Sequence, residues 1–470
     1  MTRARTLLAG LAATCLVAPA IAQDYPPPPP IAAPKPFKLP ATETFRLSNG
    51  MQVTLIPFGV TPKTVVSLRI FAGNLNEGED TWIADITGDL IKEGAGGKSA
   101  AELAATAASF GGDLGVGVSQ QSTAISMSVL SEHTAHAIQL ISDVARRPDF
   151  PADAFGRVKA NWQRRLALTL SQPQALADAA LARSWYGDHP YGRNFPTAAR
   201  LNGYTLDQAK AFHAANYGAR RAHLYIAGRF DAAAAKAAIQ QAFGDWAAGP
   251  ERLSLPPRVN PGPRVLLIDR PNAPQSTLRV AFPAPVAGSA DDIPLRVTNA
   301  LLGGAFSSRI TRNIREEKGY TYSPGSGIAF QPGDAQWTFD ADVTTAVTGA
   351  SLTEVFKEIR TLQTTAPTPE EAAGIATYMA GIFTIQNSTA PAVVGTLANR
   401  DTLGLPANWL ENYVPAVLAV KGPAMTAAAK KAFPLDKMTL VVVGDLKTVE
   451  PQVKALPELK GYSFETVTVP

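Results

Sequence analysis

Short runs of alternating apolar and polar residues and longer runs with helical spacing follow one another along this chain, and the same order occurs twice. In TETFRLSNGMQVTLIPF (42–58), alternating apolar positions flank Asn49-Gly50, a pair suited to a tight reversal, so a β-hairpin is expected. VVSLRIFAG (65–73) reads as a strand before a helix, and STLRVAFPA (276–284) holds the same place later in the chain. Near the end of each half an Ala-rich helix precedes a strand and a Gly turn, first AHLYIAGRFD (222–231) and then MTLVVVGDLK (438–447). Corresponding points lie about 210–216 residues apart, far beyond solenoid periods, which points to a duplicated domain. Within each half, strands are grouped and helices such as PADAFGRVKANWQRRLALTL (151–170) stand apart. The expected fold class is therefore α+β, with two homologous domains, each a largely antiparallel sheet packed with helices.

Composition changes this picture little. The 470 residues exceed one ordinary domain, and 46% hydrophobic with 17% charged residues suffices for real cores. A net charge of +4 with no Lys/Arg run argues against nucleic-acid binding. The first residues change more. MTRAR is a basic start, TLLAGLAATCLVAPAIA is apolar, and Ala20-Ile21-Ala22 before Gln23 is a small-x-small cleavage pattern. Residues 1–22 are thus read as a signal peptide cleaved after Ala22, and the chain as exported to the periplasm. Cleavage removes Cys15, the sole cysteine, which excludes a disulfide framework and a Cys-zinc site in the mature chain. No later segment is apolar for long enough to span a bilayer. Residues 23–41 read as a Pro-rich, poorly packed tether, 42–246 as the first domain, 247–264 as a Pro/Gly-rich linker and 265–470 as the second domain.

Candidate chemistry concentrates in LLGGAFSSRITRNIREEKGYTYSPGSGI (301–328). Ser307 to Lys318 reads as a helix ending at Gly319, YTYS as the opening of a strand, and PGSGI as a turn. A turn at Gly319 can fold Arg315 and Tyr322 toward one another, a guanidinium fork beside a phenol. The plainer alternative stays open at this point: an Arg in a last helical turn complements the helix dipole, and Tyr is common in strands. The Gly303-Gly304 pair reads as a helix terminator or a close backbone turn. The five histidines offer no metal set: His133 and His136 lie at a helix start without a third ligand, His189 shapes a loop, and His213 and His223 are isolated. No G-x-S-x-G elbow or P-loop occurs.

GGAFSSRITRNIREEKGYTYS (303–323) resembles the second-domain signature of the pitrilysin (insulinase) zinc peptidases, the family that includes the two-chain mitochondrial processing peptidases and their bacterial relatives. LSNGMQVTLIP (47–57), KSAAELAATAASFGGDLGVGVSQQST (98–123) and YGDHPYGRNF (186–195) resemble further family segments in the same order. The resemblance runs from about Thr42 to the end. It implies a clamshell, each chain forming one half around an unfolded peptide. It also implies a metal helix with H-x-x-E-H, in which two His four apart bind zinc and the Glu activates water. WIADITGDLIKEG (82–94) stands in that place. Asp85 replaces the first His, Gly88 the Glu and Asp89 the second His, while Trp82, Ile83, Ile86 and Leu90 keep an apolar face. The family's third ligand is a Glu on a later helix, yet no acid occurs between Asp153 and Asp178. Asp85 and Asp89 alone are a poor zinc site and read as a solvated or hydrogen-bonded face. The resemblance thus implies a chain that binds no zinc itself and serves as the non-catalytic subunit of a heterodimer. An H-x-x-E-H homologue brings the zinc, and Arg315 and Tyr322 contact the substrate in trans. The other reading is a non-enzymatic peptide-binding or scaffold protein of the same fold.

Overall fold

The alternation around Asn49-Gly50 produces strands β1 (Glu43–Arg46) and β2 (Gln52–Pro57), paired antiparallel with Phe45 opposite Val53. The reversal takes five residues, with Gly50 at φ 95°, where a side chain would be strained. Asn49 Nδ2 ties the turn down by donating to the carbonyls of Phe243 and Trp246. The computed structural model describes residues 37–39 and 41–468. The residues read as a signal peptide, and most of those read as a tether, lie outside the described ones. The tether's end is not poorly packed: the Phe37 ring stands edge-on to Phe383 at 5.0 Å, and Leu39 joins the same apolar cluster.

The first half continues with β3 (Lys63–Ile70), a two-residue hairpin of β4 (Gly94–Ala95) and β5 (Lys98–Ser99), then β6 (Gly115–Val118), β7 (Thr123–Leu130) and β8 (Ala222–Gly228). The second half has β9 (Arg264–Asp269), β10 (Gln275–Pro283), β11 (Gly325–Gln331), β12 (Asp334–Thr344), β13 (Thr439–Gly444) and β14 (Ser463–Thr466). The main sheets run β1-β2-β8-β3-β7-β6 and β14-β9-β13-β10-β12-β11, so five strands correspond one to one across the duplication. Only the sixth differs, being the first strand of one half and the last of the other. Both sheets are antiparallel apart from β2 with β8, and β9 with β13 and β14. The α+β expectation of two like domains is met.

The linker has no regular structure up to β9, but packing crosses it in both directions. Helix Pro173–Tyr186 of the first half lies on the second sheet, where Ala177, Leu181 and Trp185 meet Leu266, Ile268, Ala281, Val441 and Val443. Helices Ala390–Leu403 and Trp409–Ala419 of the second half return the contact, packing Val393, Leu397 and Val414 on Ile56, Val65 and Tyr225. The other face of each sheet holds that half's own core. Each sheet is thus sealed on one side by the opposite half, which couples the two mechanically. Among the described residues no helix is long and apolar enough to cross a membrane.

Candidate functional site

The first half's candidate site is built on helix Ile83–Leu90, whose Ile83, Ile86 and Leu90 point into the core. This period leaves Asp85 and Asp89 together on the other face. Neither carboxylate is spare. Asn74 Nδ2 donates to Asp85 Oδ2 (2.7 Å) and to Glu77 Oε1 (2.9 Å), and the Ala84 N–H also reaches Glu77 Oε1 (3.0 Å). Asp89 Oδ2 accepts from Trp162 Nε1 (2.8 Å), and its Oδ1 pairs with Lys92 at 2.8 Å. Helix Ala152–Ser171, where the resemblance puts a third ligand, presents Trp162, Arg165 and Thr169 to this cavity of about 270 Å³. The Arg165 guanidinium lies over the Trp162 ring at 4.7 Å.

Zinc does not fit this donor set. Among the described residues no three His, Cys, Asp or Glu side chains converge as a metal site. The two aspartates are occupied by an amide, an indole and an ammonium, and Arg165 places a fixed cation at the mouth. Gly88 has no base to offer, and a Cβ there would come within 2.7 Å of Val118 Cγ2 on β6. Restoring the motif with Asp85→His, Gly88→Glu and Asp89→His is therefore expected to give no stoichiometric zinc, read by metal analysis. It is also expected to cost about 1–3 kcal/mol of stability through overpacking, read by denaturation. One zinc per chain would contradict this.

The enclosed carboxylates carry a pH signature. Burial, reinforced by Asp85 nearby, pushes Glu77 up to about 8 against the pull of its Asn74 and Ala84 hydrogen bonds. Burial likewise raises Asp85 to about 6, with Asn74 and Arg165 pulling the other way. Both acids bind protons more tightly folded than unfolded, so their contribution to stability is complete below about pH 4 and is lost as pH rises through about 6 and then 8. Glu77→Gln keeps both acceptor bonds and removes the larger titration. It is expected to be more stable than wild type by on the order of 4 kcal/mol at pH 8 and nearly equal at pH 4.5. Chemical denaturation at the two pH values checks this.

In the second half, helix Asp292–Asn299 runs on into a wider turn, Ala300–Gly304, where the Ala305 N–H reaches back five residues to the Ala300 carbonyl. Gly303-Gly304 therefore extends a helix instead of simply ending one. A Cβ on Gly303 would meet Ser326 Oγ at 2.5 Å, so glycine lets this turn press against β11. The next helix begins at Arg309, not Ser307, and is π-wound over Thr311–Glu317, with the Lys318 N–H on the Asn313 carbonyl. Arg309 anchors it through a two-pronged pair with Glu371 (2.9 and 2.7 Å). Asn313 holds Glu354 and Glu358. Gly319, at φ 65°, then reverses the chain.

Beyond this reversal two expectations need correction. Tyr322 is not on a strand: Thr321 makes a single bridge to Val343, Thr321 Oγ1 bonds the Asp342 carbonyl, and β11 starts only at Gly325. PGSGI is accordingly the entry of β11, not a turn. The reversal does bring Arg315 and Tyr322 together, the guanidinium carbon lying 5.2 Å from the Tyr322 ring centre. A third side chain, unnoticed in the sequence, completes the arrangement: the Phe306 ring lies 4.6 Å from the same carbon. Arg315 is thus flanked by two aromatic rings, with Phe306 70% and Tyr322 82% exposed. Among the described residues no carboxylate lies within ion-pair distance of Arg315. The signal that could have revealed Phe306 was a large apolar residue between the glycines and serines of GGAFSS. Trp162 and Arg165 stand on the helix that carries no acid between Asp153 and Asp178, and their spacing alone does not mark them as part of the site.

Comparison with known proteins agrees with this architecture. The model for Insulinase (Peptidase family M16) matches residues 58–197, and that for the Peptidase M16 inactive domain matches 203–378, so that together they span most of the chain. An uncharacterised zinc protease of Mycobacterium tuberculosis is 27% identical over 289 residues, 60% of this chain and 66% of that protein; the chain thus spans just under two thirds of this relative. An uncharacterised zinc protease of Bacillus subtilis is 23% identical over 284 residues, 59% of this chain and 68% of that protein. Among solved structures, a peptidase M16 inactive domain from Pseudomonas fluorescens superposes with a TM-score of 0.79 at 24% identity, covering 86% of this chain and 98% of that one. A protease from Helicobacter pylori has the same TM-score at 17% identity, with 87% and 100% covered. From the paired family matches and the doubled fold, this chain belongs to the insulinase (M16) peptidase family, as a member without the zinc-binding motif.

Proposed function

We propose that this chain is the non-catalytic, substrate-binding subunit of a heterodimeric zinc metallopeptidase, exported to the periplasm. The observation that carries the reading is the contrast between the halves. Asp85 and Asp89 are tied into hydrogen bonds with no base at Gly88, whereas Arg315 is presented, unpaired by any described carboxylate, between Phe306 and Tyr322. An H-x-x-E-H homologue would supply zinc, its ligands and the general base. This chain's part is to bind and orient an unfolded peptide. Arg315 offers a permanent charge and a donor fork, and Tyr322 a hydroxyl, to a peptide carbonyl oxygen. Fixed donors aimed at that oxygen stabilise the negative charge it gains during attack, most effectively once closure excludes water. The two flanking rings limit the Arg315 rotamers before substrate arrives, so less order is lost on binding.

The test is peptide hydrolysis by this chain, by the homologue and by their mixture, with zinc measured in each. The reading expects zinc in the homologue only and full activity in the mixture only. If the mixture forms no complex and gains nothing, the chain is instead a peptide-binding or scaffold protein of this fold.

A further inference from the structure

Beside the Asp85 cavity lies a larger one of about 560 Å³, and the two share Asn194 and Phe195 as a common wall. It opens where helix Pro173–Tyr186 ends over the second sheet, beside β9 and the outer strand β14. Its lining includes three arginines and one acid, Glu465. Arg183 is neutralised by Asp188 at 2.9 Å. Arg264 is held by uncharged partners only, Ser184 Oγ and the Asn260 carbonyl, both at 3.2 Å. Among the described residues neither Arg193 nor Arg264 has a carboxylate within ion-pair distance, and the Arg193 side chain has no hydrogen-bond partner. A guanidinium steadied by neutral groups keeps its whole charge and its remaining N–H groups for an incoming anion.

We propose that this cavity is a carboxylate-binding subsite for the bound peptide, with Arg193 and Arg264 as the receiving groups. The inference rests on the peptide-binding reading above and adds a substrate class to it, peptides carrying an acidic group. The volume suits a side chain or a chain end. The wall shared with the first cavity places the two side by side. The carboxylate can come from a peptide C-terminus or from an Asp or Glu side chain, and the chemistry of recognition is the same. Glu465 opposes the anion and limits its affinity.

The experiment is fluorescence anisotropy with the full chain and four labelled peptides of one neutral sequence. They carry a free or an amidated C-terminus, and an internal Glu or Gln. One acidic form is expected to bind about 10-fold more tightly than its neutral counterpart, as charged hydrogen bonds allow, and which pair shows the difference identifies the source. Arg193→Gln, which breaks no hydrogen bond or ion pair among the described residues, is expected to erase that preference with an unchanged melting temperature, and Glu465→Gln to enlarge it. Arg315→Ala is expected to weaken all four peptides alike. Equal binding of acidic and neutral peptides, or a preference that survives Arg193→Gln, overturns the subsite and leaves the peptide-binding reading standing. No binding of any peptide overturns both.

Discussion

Arg315→Ala is expected to lower the hydrolytic rate of the mixed complex about 100-fold at saturating peptide, the scale seen when one fixed donor to a developing oxyanion is removed. The loss should fall mainly on kcat, because the charge on the carbonyl oxygen is greater in the transition state than in the bound substrate. Assembly with the homologue, read by light scattering, should not change, since among the described residues Arg315 makes no ion pair whose loss would disturb the fold. Tyr322→Phe keeps the ring beside the guanidinium and removes only the hydroxyl, so a smaller loss of about 10-fold is expected. A complex of normal size whose Arg315→Ala form retains its rate within about 2-fold would remove Arg315 from the chemistry.

The largest structural effect is expected from Trp185→Ala. Trp185 belongs to the first half by sequence but is buried against the second sheet, and its Nε1 donates to Thr439 Oγ1 at 2.9 Å. Truncating a fully enclosed tryptophan costs about 3–5 kcal/mol, the lost transfer energy plus the cavity left behind. Here the cavity opens between the halves, so the loss should also weaken their coupling. Denaturation should show a large fall in midpoint, and protease should gain access to the linker at 247–264. A change under about 1 kcal/mol would mean that the halves are joined chiefly by the reciprocal contact of Val393, Leu397 and Val414.

Much of the plan was legible because it is written in local periodicity. The hairpin around Asn49-Gly50, the strands at 65–70, 276–283, 222–228 and 439–444, and the 210–216-residue offset between halves all follow from alternation and turn residues. The helix at 83–90 has the apolar face its spacing predicts, with Asp85 and Asp89 together on the other. What was hidden depends on contacts between distant segments. The alternation in YTYS is strand-like, yet a bridge at Thr321 alone pairs it, because the chain is still leaving the Gly319 reversal there. The glycines of PGSGI lack strand character but form a strand because β12 supplies the full ladder of partners. The π-wound helix at 311–317 is held by Glu371, Glu354 and Glu358 far along the chain, and Phe306 reaches Arg315 from the turn before that helix. The raised Glu77 was likewise invisible, since its burial is set by the surrounding packing and not by its neighbours in sequence.

The central claim, that this chain completes another chain's active site instead of owning one, is met most directly by a titration. Peptide hydrolysis is followed at a fixed amount of the H-x-x-E-H homologue while this chain is added. The rate is expected to climb from near zero and level off at one chain per homologue, with a plateau depressed about 100-fold when Arg315→Ala is added in its place. A homologue fully active by itself, whose rate stays flat across the titration, would contradict it.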